Sequence, residues 1–524
     1  MRAASWHHAL VFVTGAGVLL LEILGARLIA PFYGAALYVW SSLIIVTLAA
    51  LAAGYAVGGV LADRPCPAGP GSRDQGVEGS RPIVWLGRAL AGAGAWLLVL
   101  PILRRPVLIG ASALGVRFGA LAGAAVLLAP PLFCLAMVGP LIVRLRTAEL
   151  SRLGREVGGV TAVSTVGSVA GALIAGFLLV PKAPAVGLLA GFAFVLFALA
   201  AFCSWKAGSR VARAEAAVLL AVGAAGAVWG MSRTVRTSGV VREKATSFYG
   251  DIRVVDWPRQ ARRVLYIDGI PNTVVSLGTL DSVSDYIMAF EMLPLMRPEG
   301  RRALLIGMGG GSLVGRFARH YGIVTDVVEI DPVIERLARR WFGFAPTGKV
   351  HIEDGRRLLE RDGSEYDFIV VDAFSGDQHP YHLFSVEAFQ AAKRRLSGEG
   401  VLALNVIGYA MGPRAGLRRA VGRTLKEVFG HVRVFSANRD LEMRESCVNL
   451  IFMASDAPLR FRREPRAARP RLAMYHWSVQ DNFLEVGDGA LITDDRNPLE
   501  RLNAPAFLAI RRRMLEIDHD LRVY

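Results

Sequence analysis

The sequence predicts two bodies of different kind. A polytopic α-helical membrane domain is expected over residues 1–235, and a doubly wound α/β domain over 298–524, with a small antiparallel β subdomain and linking helix at 236–297. Three observations predict this. Residues 1–235 hold 18 Lys+Arg against 7 Asp+Glu, whereas the remainder holds 42 against 37. Apolar runs of the ~20 residues that a helix needs to cross a bilayer are confined to the first part. After residue 300 short apolar strands alternate with amphipathic helices. With 53% hydrophobic residues and 56 Gly in 524, disorder, collagen and coiled coil are excluded. Most of the net charge of +16 falls in short loops between apolar runs, which is a topology signal and not a nucleic-acid one. The four cysteines, Cys66, Cys134, Cys203 and Cys447, have no metal-ligand spacing, so no disulfide framework and no metal are expected.

The apolar runs lie at 9–30, 37–61, 83–103, 118–143, 157–180, 186–205 and 214–231, about seven spans. The first is too long for a signal-peptide core and carries Glu22 and Arg27, so it is expected to remain in the mature protein. Glu22 reads equally as a binding or relay group and as an internally paired one, and Arg27 reads as snorkelling. Residues 106–117 are too short to cross and too apolar for a free loop, and are expected to re-enter or lie in the interface. Arg2, Arg64, Arg73, Arg81, Arg144, Arg146, Arg152, Arg155, Lys206, Arg210 and Arg213 fall on one side, against Arg104, Arg105 and Lys182 on the other. The amino terminus is therefore expected in the cytoplasm. Gly-Gly-Val-Leu-Ala-Asp-Arg, ending at Arg64, resembles the loop between the second and third helices of major facilitator transporters, which has the same sidedness. Gly15, Gly17, Gly54, Gly58, Gly59, Gly167, Gly171 and Gly176 are expected to let helices approach closely.

From about Arg236 the pattern changes. Residues 249–256 and 263–269 read as strands of a small antiparallel sheet, and 281–296 as a helix stopped by Pro298. Strand and helix then alternate: strands at 303–307, 324–330, 350–353, 368–372 and 401–406, helices at 313–321, 332–342 and 386–396. The first of these strands runs into Gly307-Met-Gly309-Gly-Gly311, a turn that lets backbone amides approach a nucleotide-like ligand. Glu329 ends the next strand, 22 positions after Gly307, where an acid accepts both hydroxyls of a ribose. Asp354, followed by Gly355, lies past the third strand, where a carboxylate accepts an adenine amino group. Asp372 ends the fourth, at the sheet edge where ligands bind. A Gly-x-Gly-x-Gly turn suits a nucleoside without a pyrophosphate, and therefore an S-adenosylmethionine-type ligand.

Here the sequence resembles the spermidine synthase family of polyamine aminopropyltransferases, in particular the membrane-fused members. The resemblance covers Glu243 to about Val406, with 491–498, Leu-Ile-Thr-Asp-Asp-Arg-Asn-Pro, resembling a further signature of the fused type. It implies a Rossmann-like, S-adenosylmethionine-methyltransferase-like fold. It implies that Glu329 holds the ribose, Asp354 contacts the adenine, Asp372 assists the attacking amine, and Tyr286 lines the substrate site. The segment 372–383 resembles the one covering the catalytic pocket. Asp285, Asp377, His382, Asp494 and Asp495 are further candidates for an acidic cleft that attracts a cationic amine such as putrescine, and His379 and His382 read equally as lining its mouth and as surface positions.

The departures matter. Soluble members have an Asp in the glycine turn that contacts the aminopropyl group; here it is Gly310. Their second active-site Asp is Ser375, and their Gln after the strand Tyr is Gly250. Aminopropyl transfer from decarboxylated S-adenosylmethionine is the expected activity; methyl transfer from intact S-adenosylmethionine, or a non-catalytic polyamine-binding transporter or sensor, are the alternatives. The bilayer, a small amine and a homodimer partner are expected, and nucleic acid is not. The basic run at 460–471 reads as a solvated loop, with anionic lipid as the alternative contact. Seven spans would put the catalytic domain outside, away from its donor. The run at 214–231 is therefore expected in the interface, leaving a cytoplasmic catalytic domain on a multi-pass protein of the cell membrane.

Overall fold

The computed structural model describes residues 5–33, 37–63, 81–147, 152–180, 183–207, 210–232, 239–361, 363–374, 379–437, 447–464, 472–473, 476 and 484–517. Asp377, Ser375, Cys66, Arg2, Arg64, Arg73, Lys182 and residues 465–471 of the basic run lie outside the described residues. The chain forms two compact units, Met1–Thr234 and Val235–Tyr524.

The regular structure of the first unit's described residues is all helical: α1 Ser5–Tyr33, α2 Leu37–Asp63, α3 Arg81–Ala111, α4 Gly115–Ala136, α5 Val138–Arg146, α6 Leu153–Leu173 with a π-helical end at Ile174–Leu179, α7 Ala185–Lys206 and α8 Arg210–Ser232. Among the described residues six helical stretches are long and apolar enough to cross a membrane, from Trp6–Ala30 to Ala185–Lys206. The seventh expected run falls in α8, whose side chains are described only over 213–229. Residues 106–111 continue α3, despite Pro101 and Pro106 inside it. Helix α1 ties this stretch down: the Tyr33 hydroxyl donates to the Leu108 carbonyl at 3.0 Å, and Arg104 Nε donates to the Leu28 carbonyl at 2.9 Å. A 3₁₀ turn at Ser112–Leu114 and the positive φ of Gly115 then reverse the chain.

Close approach is real between α1 and α6. A Cβ on Gly15 would lie 2.3 Å from the Ser164 carbonyl oxygen, and one on Gly167 would lie 2.2 Å from that of Phe12. Ser168 fills the same crossing by donating to the Gly15 carbonyl. Gly59 and Gly176 have nothing within 4 Å of an added Cβ and do not serve this purpose.

The second unit begins with a four-stranded antiparallel sheet, β1 Val240–Thr246, β2 Asp251–Trp257, β3 Arg262–Ile267 and β4 Ile270–Ser276, in that order. Only the two middle strands were expected. The expected helix at 281–296 is broken into α9 Asp285–Phe290 and α10 Leu293–Met296. Pro294 opens α10, and the fully buried Glu291 at the break takes hydrogen bonds from Arg316 and Tyr321.

The remaining elements are β5 Arg302–Ile306, α11 Ser312–Tyr321, β6 Val324–Glu329, α12 Pro332–Trp341, β7 Val350–Ile352, α13 Gly355–Arg361, β8 Tyr366–Val371, α14 Val386–Lys393, β9 Leu396–Tyr409, α15 Gly416–Val428, β10 His431–Ser436, β11 Cys447–Ser455 and α16 Leu499–Ile517. The sheet has seven strands in the order β10-β11-β9-β8-β5-β6-β7. It is mixed, not wholly parallel as expected: β11 runs antiparallel to both β9 and β10. Apolar clusters cover both faces, which is what a central parallel sheet requires. The parallel registers Ile306↔Val328, Ile306↔Val371 and Val371↔Leu404 bring the ends of four strands to one edge. Residues 307, 329, 372 and 405 thereby become neighbours.

Candidate functional site

At that edge β5 passes into the glycine turn, where Gly307, Gly309 and Gly311 all have positive φ. At Gly307 the requirement is also one of space, since a Cβ would lie 2.5 Å from the Asp372 carbonyl oxygen. Glu329, ending β6, is buried and holds the turn: its carboxylate accepts from the Met308 amide at 3.1 Å and the Asp331 amide at 3.0 Å. Burial pushes its carboxyl up to about 6, against the pull of these amides. Asp331 caps α12 through the Val333 amide and accepts the Ser247 hydroxyl at 2.6 Å, which ties the β1–β2 turn to this edge. In the same turn, Tyr249 is half exposed. Burial first, and then the charges of Asp331, Asp354 and Glu329, hold its hydroxyl above the usual range. Its hydroxyl is therefore within electrostatic reach of these three carboxylates, which the sequence reading missed because a hairpin tip carries no motif.

Asp354 precedes α13. It accepts from the Arg357 amide at 3.1 Å and is paired with His382 Nε2 at 2.8 Å, and the His382 bond is the main reason its carboxyl lies below the usual range. Gly355 packs on β5, where a Cβ would lie 2.4 Å from Ile306. His382 belongs to a short turn at Tyr381–Leu383 that is clamped from behind. Arg356 donates to the His382 carbonyl, to Ser385 and to Asp494. Asn497 donates to the Tyr381 carbonyl at 2.9 Å, and Ser385, the cap of α14, donates to Asp494. Asp494 thus pairs with Arg356 and Ser385, and both it and Asp495 are exposed.

On the other flank of the turn, Asp372 is half-buried at the end of β8. It accepts the Tyr286 hydroxyl from α9, and Asn405 Nδ2 from β9 donates to its Oδ1 at 2.8 Å. Burial pushes the Asp372 carboxyl up to about 6 although both donors favour its charge, and it raises the Tyr286 hydroxyl well above its ordinary value. Asp285 opens α9 one residue before Tyr286. His379 is buried between the rings of Phe374 and Phe384, with Nε2 accepting the Ile407 amide at 3.1 Å; burial lowers it to about 4, so it is neutral. Gly310 is not an empty position: a Cβ there would lie 2.7 Å from Thr273 Cγ2 and 3.2 Å from the Phe342 ring, and its amide donates to Thr273 Oγ1 at 2.9 Å. Among the described residues no group of His, Cys, Asp and Glu is arranged to hold a metal ion.

Residues 281–434 match the spermine/spermidine synthase domain, and the chain carries that domain. A polyamine aminopropyltransferase of Vibrio vulnificus is 42% identical over 117 residues, 21% of this chain and 39% of that protein. An N-terminal histidine N-methyltransferase of Emericella nidulans is 32% identical over 171 residues, 31% of this chain and 30% of its own. The matched segments therefore span well under half of either relative. The crystal structure of a probable spermidine synthase from Corynebacterium glutamicum aligns with 52% of this chain and 94% of its own, at 22% identity and a TM-score of 0.37.

Proposed function

We propose that the second unit is a polyamine aminopropyltransferase, transferring the aminopropyl group of decarboxylated S-adenosylmethionine to a small amine such as putrescine. The observation that carries this is Asp372, held by Tyr286 and Asn405 beside a glycine turn that Glu329 braces. An amine attacks as the free base, but is an ammonium at neutral pH. A partly buried carboxylate attracts the cation, accepts its proton, and leaves the nitrogen lone pair to attack the methylene carbon next to the sulfonium. The new C–N bond forms as the C–S bond breaks, and the neutral thioether nucleoside leaves. Glu329 takes the ribose hydroxyls, and Asp354, oriented by His382, takes the adenine edge.

The second reading is methyl transfer, which two observations favour. Thr273 and Phe342 occupy the space in which an acid at 310 would hold a donor's amine, and the relative from Emericella nidulans is an N-methyltransferase by name. Incubating the full-length protein with decarboxylated or intact S-adenosylmethionine, labelled in the transferable group, and a panel of amines decides between them. A labelled polyamine from the decarboxylated donor alone supports the first reading; methylated amine supports the second; no transfer from either refutes both.

The helical unit is proposed to anchor the protein in the cell membrane, with its amino terminus and the catalytic unit in the cytoplasm, where S-adenosylmethionine derivatives are made. That placement requires α8 to return without crossing. Its packing along α7 and α3 stands against this: a Cβ on Gly223 would lie 2.9 Å from Phe197, and one on Gly226 would lie 2.4 Å from Leu98. Labelling of Gly398→Cys with a membrane-impermeant thiol reagent in intact cells, after replacement of the four native cysteines, tests it. Protection until lysis is expected; prompt labelling would place the catalytic unit outside.

A further inference from the structure

Asn405 is 1% exposed in the middle of β9, a strand otherwise apolar at this depth. A buried amide destabilises a sheet unless each polar atom is paired, and a leucine would fill the same space at no such cost. Its pairing runs in one direction. Asn449 Nδ2, on the adjacent β11, donates to Asn405 Oδ1 at 3.0 Å, which turns the Asn405 amino group towards Asp372 Oδ1. The register explains the reach: Asn405 lies opposite Ile451, so Asn449 is its diagonal neighbour on the same face. The residues 286, 372, 405 and 449 thus form a continuous line across three strands and a helix, and the last of them has no part in the activity described so far.

We propose that Asn405 and Asn449 form an amide relay that positions Asp372 and keeps it ionised while it waits for an ammonium group. The inference rests on the reading of Asp372 as the group that accepts the amine's proton. An ionised carboxylate only accepts hydrogen bonds, so a fixed N–H aimed at it favours the charged state over the neutral one. Burial works in the opposite direction. A neutral donor has an advantage over a Lys or Arg at this place, because it supports the carboxylate without repelling a cationic substrate. The relay also explains the second asparagine: without Asn449, the Asn405 amide is free to turn its oxygen towards Asp372. Among the described residues Tyr286 is the titratable side chain coupled to Asp372, and nearby His379 stays neutral.

The test is a direct titration of the Asp372 carboxyl in the full-length protein by pH-difference infrared spectroscopy, each spectrum compared with that of the D372N variant. The wild-type midpoint is expected at about 6. In Asn405→Leu it is expected to rise by roughly one pH unit, and in Asn449→Leu by less, in the same direction. Asn449→Ser, which keeps a donor, is expected to restore much of the wild-type value. The acid limb of kcat should move with the midpoint, so that raising the pH recovers the rate. A midpoint unmoved in Asn449→Leu, or a rate lost equally at every pH, would overturn the relay; Asn449→Leu carries the test if Asn405→Leu does not fold. Should the wild type transfer nothing to any amine, the proposed function fails, yet the titration still decides the relay.

Discussion

The two halves of the sheet edge are built differently. On the nucleoside half, the glycine turn and the two carboxylates lie between residues 307 and 355, and the partners of Glu329 are backbone amides set by the glycine turn and the start of α12. On the amine half, Tyr286, Asp372, Asn405 and Asn449 come from α9, β8, β9 and β11, and the partners of Asp372 are side chains. Both carboxyls are pushed up to about 6 by burial. One is held by the fold itself, and the other by residues that can be changed singly without altering the backbone. The nucleoside half should therefore govern affinity and the amine half turnover.

The strongest test of that division is Asp372→Asn. General-base assistance contributes ~100- to 10000-fold, and a loss of that size in transfer is expected with nucleoside affinity almost unchanged. Steady-state rates and calorimetry with methylthioadenosine measure the two separately. Turnover within a few-fold of wild type would leave the amine half without its proposed role, and a matching loss of affinity would mean that the two halves are not separable.

Glu329→Gln probes the other half and should have the smaller effect. Its amide can present an oxygen to only one of the two backbone N–H groups that Glu329 now satisfies, and it offers the ribose no charged acceptor. Weakening of methylthioadenosine binding by ~1.5 to 3 kcal/mol is expected. Unchanged affinity in the calorimeter would remove the ribose assignment.

The same difference decides what was legible in the sequence. Gly307, Gly309, Gly311, Glu329 and Asp354 follow one another through a strand, a turn and a helix, so local pattern alone placed them at one edge. Asp372 was legible as a strand end. Asn405 was not, because an asparagine in a strand has no signature until its neighbour is known, and β11 lay outside the expected elements. Hydropathy located the long helices of the first unit but did not show that α3 continues through 106–111, where the supporting hydroxyl comes from Tyr33, 75 positions away from Leu108. Asp494, read as an acid facing substrate, also pairs with Arg356 and Ser385 beside the turn that carries His382, which spacing could not show. Sequence spacing conveys side-chain type and strand-end position, and says nothing of which neighbour a side chain turns to.

The smallest effect expected is on stability, and it has the opposite sign to the loss of function. The Asp372 carboxyl rises from an ordinary 3.8 to about 6 in the folded state, so folding favours its protonated form. The stability linked to this group is present in full below about pH 4 and is lost as pH rises through 6. At ~1.36 kcal/mol per pH unit the rise is worth at most ~3 kcal/mol, and partial exposure reduces that to roughly 1 to 2. Asparagine has no proton to lose. Asp372→Asn should therefore unfold at a higher temperature than wild type at pH 7.5, with the gap closing towards pH 4. A variant no more stable at pH 7.5 would show that the donors from Tyr286 and Asn405 already offset the burial of Asp372, and that the amine half, like the nucleoside half, is held without strain.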